Sequence, residues 1–129
     1  MSAALSRSFE SFRDVLPRGG SLPADLWAHR HRTVLVVLWL HVAAIPVFAA
    51  ARGQSVLHGL FEASLVGAFA ASATFQPQSL PRGARAGLAA AGLMTASAVL
   101  VHLAGGANEM HFHFFVMVGL ITLYQDWVP

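Results

Sequence analysis

Cysteine is absent from the 129 residues, and so is lysine. The first absence excludes disulfides, thiolate metal ligands and cysteine nucleophiles. The second leaves eight arginines as the whole basic complement against six carboxylates, a formal charge of +2. Charged residues make up only 11% of the chain, against roughly 25% in an average soluble domain, so a free cytosolic globule is excluded. No run of arginines is interleaved with aromatics, which removes nucleic acid as a partner. A Gly-rich phosphate loop and a Ser/His/Asp arrangement are also missing, so no catalytic residues are assigned and the chain is not expected to be an enzyme.

What is abundant is apolar: 56% of the residues are AVILMFWYC. They gather into four stretches, 33–51, 56–75, 86–103 and 110–124, each near the ~20 residues that cross a ~30 Å hydrocarbon core as helix. Because lipid offers no partner to a backbone N–H or C=O, and no long alternating pattern supports a barrel, every stretch is assigned to helix. The expected fold class is therefore all-α, an integral membrane bundle of four transmembrane helices. Short loops rich in Gly, Pro, Ser and Gln separate them around Arg52-Gly53, Gln76-Pro77 and Gly105-Gly106.

Arginines near span ends stay in the cytoplasm. Arg7, Arg13, Arg18, Arg30 and Arg32 precede the first span, Arg82 and Arg85 lie between the second and third, and Arg52 alone falls on the other side. The expected N-terminus is cytoplasmic, in a multi-pass membrane protein. Residues 1–32 form a leader, read either as a tail or as an interfacial helix with Leu5, Phe9, Phe12 and Leu16 on one face. Its length argues against cleavage of the first span as a secretory signal at Ala49-Ala50-Ala51. Residues 33–129 form the bundle. Small residues at four-residue spacing, Gly59, Ala63, Gly67 and Ala71 in the second span and Gly87 and Ala91 in the third, are expected to let helices approach closely. Pro46 removes one hydrogen bond from the first span and is expected to kink it.

Seven histidines are the anomaly in so apolar a chain. With this topology His58 and Glu62 begin the second span, His102 closes the third, and Glu109, His111 and His113 open the fourth, so six ionisable groups share the outer level. Their burial in lipid demands partners. The pairs His58/Glu62 and Glu109/His113 are each four apart and share a helix face, whereas His111 and His113 point about 200° apart. The expected metal ligands are His58, Glu62, His102, Glu109, His111 and His113, with His111 the least well placed.

Imidazole and carboxylate without thiolate suits Zn, Cu or Fe ions. Haem b is the alternative cofactor, held by histidines on facing helices. His41, His58 and His102 are its candidate ligands, although His41 has no obvious partner at mid-membrane. A membrane redox or transport unit, with His41 carrying the outer cluster inward as a proton or electron path, is the second functional reading.

Leu100-Val101-His102-Leu103-Ala104-Gly105-Gly106, then Glu109-Met110-His111-Phe112-His113-Phe114-Phe115-Val116 and Leu123-Tyr124-Gln125-Asp126-Trp127, resemble the N-terminal membrane sensory region of a family of bacterial signalling proteins. In that family the region precedes chemotaxis-receptor, histidine-kinase or diguanylate-cyclase output modules. The match is close over 100–127 and looser from Trp27 to Glu62. It implies a membrane-embedded sensory input domain, with its site around Glu109, His111 and His113. The family continues beyond the Gln-Asp-Trp, so the chain is expected to be a fragment of a longer receptor. The expected partners are the lipid bilayer, a second copy in a homodimer, and a downstream cytoplasmic signalling module.

Overall fold

A computed structural model describes residues 22–77 and 79–125. Among these residues the only regular structure is helical: α1 (Ala24–Ala51), α2 (Val56–Thr74), α3 (Arg82–Leu103), α4 (Asn108–Ile121) and a 3-10 turn (Thr122–Tyr124). The all-helical expectation holds. Three helices, α1 to α3, are long and apolar enough to cross a membrane. Helix α1 begins at Ala24, nine residues ahead of the expected span, because Trp27, His31 and Val34 recur at helical spacing and are all buried. The leader face of Leu5, Phe9, Phe12 and Leu16 lies outside the described residues, as do Asp126 and Trp127.

Helix starts follow local chemistry. Pro23 and Pro81 immediately precede α1 and α3, where a missing N–H costs nothing. Ser55 caps α2, its hydroxyl accepting the backbone N–H of His58 at 3.1 Å. The chain reverses after α3 through Gly105 and Gly106, at φ +68° and +79°, a conformation in which a side chain would be strained.

The interior is built from small residues. Ala63, Val66, Ala70 and Ala73 of α2 face Val34, Leu38, Ile45 and Ala49 of α1, with Ala86, Ala89, Leu93 and Ala96 of α3 in the same core. Backbone meets backbone at Gly59, where a Cβ would stand 2.8 Å from both Pro46 Cα and Ala49 Cβ. Lipid tails are as apolar as leucine, so close backbone approach rather than water exclusion holds such helices together. On α2 the first half of the expected stripe, Gly59 and Ala63, is buried, and the buried line then runs through Val66, Ala70 and Ala73 while Gly67 and Ala71 lie half-buried beside it. On α3 the buried line runs through Ala86, Ala89, Gly92 and Leu93, while Gly87 and Ala91 lie only half-buried beside it. Pro46 sits inside a continuous α1.

The exterior is apolar too. Leu40 and Val47 on α1, Leu57 and Phe61 on α2, and Phe112 and Phe115 on α4 are all exposed. A helix apolar on its outward as well as its inward side belongs in lipid rather than water. Helix α4 is the most thinly packed, with Met117 its one fully buried residue.

Candidate functional site

The start of α2 and the end of α3 lie side by side, and three side chains meet there. The Oε1 atom of Glu62 is 3.8 Å from His58 Nε2 and 3.7 Å from His102 Nε2. All three donor atoms lie within 4.8 Å of one another. His58 and Glu62 share one face of α2, one turn apart, as their spacing implies. His102 is delivered by the last turn of α3, which the α1–α2 loop holds: Gln54 Nε2 donates to Leu103 O at 3.2 Å and Arg52 Nη2 to Ala104 O at 3.3 Å. Glu62 is the sheltered member, its side chain 18% exposed, whereas that of His102 is 65% exposed.

His113 does not join them. It turns towards the middle of α1, where its Nε2 is 2.9 Å from His41 Nε2, and its Nδ1 is 2.7 Å from Ser97 Oγ on α3. His41 Nδ1 is 2.7 Å from Val37 O. A carbonyl only accepts, so His41 donates through Nδ1 and, when neutral, accepts through Nε2. His113 then donates through Nε2 and receives the Ser97 hydroxyl proton at Nδ1, which accounts for every proton of three neutral groups. The result is a chain of three hydrogen bonds running across α3, α4 and α1. The partner that His41 lacks in the sequence is His113, 72 residues away.

Glu109 and His111 stay on the outside. Both are exposed, and His111 Nδ1 lies 3.2 Å from its own helix at Ala107 O. Of the six expected metal ligands, then, three are brought together, one is diverted inward and two face away. Of the three histidines considered for haem, His58 and His102 have ring centroids 6.0 Å apart, with the Glu62 carboxylate against both, so a porphyrin would have to displace it. Among the described residues no hydrogen bond joins the outer triad to the His41 chain.

The opposite end of the bundle holds a cluster that composition and spacing did not single out. His31 is 3% exposed, with its Nδ1 2.7 Å from the hydroxyl of Tyr124. Trp27 stacks on it with ring centroids 4.7 Å apart. Arg30 Nη1 donates to Leu123 O at 2.8 Å, so the 3-10 turn after α4 is tied to the start of α1. The available signal was the Trp27/His31 spacing of four, which puts two flat rings on one helix face.

Among known proteins the chain is similar to "Transducer protein Htr8" of Halobacterium salinarum, at 31% identity over 140 residues. That alignment takes in 99% of this chain and 22% of the transducer, so the chain spans about a fifth of the length of its relative. No protein-family model matches, and no solved structure matches.

Proposed function

We propose that this chain is the membrane-embedded sensory input region of a signal transducer, and that it takes a transition-metal ion at His58, Glu62 and His102. The observation that carries the reading is the convergence of two imidazoles and one carboxylate, from two helices, at one end of an apolar bundle. Ligand bonds of about 2.0–2.1 Å in a tetrahedral site place donor atoms about 3.3 Å apart. The Glu62 contacts are within about half an ångström of that figure. Rotation of the exposed imidazole of His102 closes the rest. Three protein ligands leave a fourth position open for water or an incoming molecule, and nitrogen and oxygen donors suit Zn, Cu(II) or Fe. The likeness to a transducer over nearly the whole chain supports an input role, non-enzymatic and coupled to a cytoplasmic signalling module.

Four spans complete the reading. Helix α4 and its 3-10 turn together rise about 27 Å, close to the ~30 Å hydrocarbon core. Seven of the eight arginines then fall on one side with the N-terminus, and Arg52 with the metal triad on the other, the outer face of the inner membrane. Cysteines placed at Ser79 and Gly106 should label from opposite faces of intact cells, and labelling from one face removes the four-span reading. Elemental analysis of the purified chain tests the metal. One equivalent is expected in the parent and a loss in His58→Ala/His102→Ala. Equal content in both refutes the site.

A further inference from the structure

At the arginine-rich end of the bundle, the start of α1, the end of α2 and the start of α3 enclose a cavity of about 430 Å³. Its polar lining is Trp27, His31, Arg32, Thr74, Arg82 and Arg85, with Leu35 reaching in from the apolar side. Three guanidinium groups line it and, among the described residues, no carboxylate does. Arg82 and Arg85 both stand over the Trp27 indole, with Cζ at 5.6 and 5.2 Å from the ring centroid. Among the described residues the buried Trp27 Nε1 and Arg85 Nε have no hydrogen-bond acceptor. A buried donor without an acceptor is costly to leave so, and like charges gathered in one recess repel.

The local helix makes the arrangement more costly still. Arg82 and Arg85 occupy the first turn of α3, where no acidic residue is present. A helix N-terminus carries partial positive charge and favours anions, so two arginines there have the wrong sign for helix stability. One group settles all of these demands together: an anion in the cavity accepts the orphan N–H bonds, neutralises the arginines and complements the dipole.

We propose that this cavity binds the phosphate of an anionic phospholipid headgroup. Arg32, Arg82 and Arg85 supply the charge, and Trp27 Nε1 and Arg85 Nε the directional donors. Location favours a lipid over free phosphate, since the cavity opens where the apolar helices end and headgroups lie. Size agrees, because 430 Å³ exceeds what a bare phosphate fills and falls within the range of sites for whole small molecules. Leu35 offers the apolar wall along which an acyl chain would leave.

The test is native mass spectrometry of the full chain in detergent with phosphatidylglycerol as probe. One lipid per chain should be retained. Anionic-lipid attraction is about fivefold per arginine, so Arg82→Gln/Arg85→Gln should weaken retention about 25-fold. Arg85→Lys, which keeps the charge but loses the Nε donor, should fall between. Arg52→Gln, at the opposite end, should match the parent. Far-UV helicity confirms that the variants fold, and metal content unchanged in the double variant separates this site from the His58/Glu62/His102 reading. Inorganic phosphate added alone is the second arm: failure to displace the lipid supports the headgroup, and displacement at equal affinity makes free phosphate the ligand and overturns the lipid assignment. Retention that is equal in parent and double variant overturns the site. So does binding that appears only after Asp126→Asn, because the anion is then the chain's own carboxylate.

Discussion

Two groups of histidines sit at two depths of this bundle, and they are finished to different degrees. In the deeper one, His41 and His113 have both ring nitrogens engaged, through Val37 O, each other and Ser97. In the outer one, the Nε2 atoms of His58 and His102 approach Glu62 only to 3.8 and 3.7 Å, beyond hydrogen-bonding distance. A completed set of hydrogen bonds ties helices together, and there is no vacancy left to fill. An uncompleted set, half-exposed, has donor atoms to spare. The same residue type is thus a fastener at one level and an unfinished, half-open set at the other, and the difference lies in where each ring nitrogen finds its partner.

Metal binding breaks this contrast most sharply. Loss of an ordering partner alone costs ten- to a hundredfold in affinity, so His58→Ala/His102→Ala should lower bound Zn by about a hundredfold or more. His113→Ala should leave it within about twofold, since second-order adjustments of α4 are the sole route by which it reaches the triad. Equal losses in the two would merge the groups into one site. Stability is expected to respond in the opposite sense. Interhelical hydrogen bonds in membranes contribute about 0.6 and up to about 1.7 kcal/mol, so His113→Ala should lower the apo unfolding free energy by an amount in that range. His102→Ala, at an exposed position, should stay within about 0.5 kcal/mol. Ser97→Ala should cost about 0.6 kcal/mol or less, because the one Ser97 proton is already shared between His113 Nδ1 and Leu93 O of its own helix, at 2.7 and 3.0 Å. A drop as large as that of His113→Ala would make Ser97 an equal member of the chain.

The sequence discloses features set within one helix or one turn. The three long helices, the Gly105-Gly106 reversal and the His58/Glu62 pair are of this kind, because helical periodicity and left-handed backbone are local properties. His102 joins the pair by topology alone, since antiparallel neighbours joined by a short loop bring the end of α3 beside the start of α2. The seating of α4 is different. Glu109 and His113 share a face, yet which neighbour that face meets depends on how α4 rolls about its own axis, and a nearly all-apolar helix carries little pattern to fix that roll. So His113 goes to His41 rather than to the triad. The Trp27, His31 and Tyr124 cluster was hidden for a similar reason: its members come from the two ends of the described chain, and only closure of the bundle brings them together.

At Gly59 the backbones of α1 and α2 touch, with Pro46 Cα in the place a side chain would take. From there the two helices stay packed through Ala63, Val66, Ala70 and Ala73, so α2 moves against α1 as one rigid piece. His58 and Glu62 lie one and three residues from Gly59, within about 4.5 Å along the axis, whereas Thr74 lies fifteen residues away, about 22 Å. Mechanically α2 is a push-rod: His58 and Glu62 straddle the Gly59 contact near one end, and the other end, Thr74, stands in the wall of the arginine-lined cavity. A shift of α2 along its axis that starts at Glu62 would reach Thr74 undiminished, so one rigid element links the two ends of the bundle.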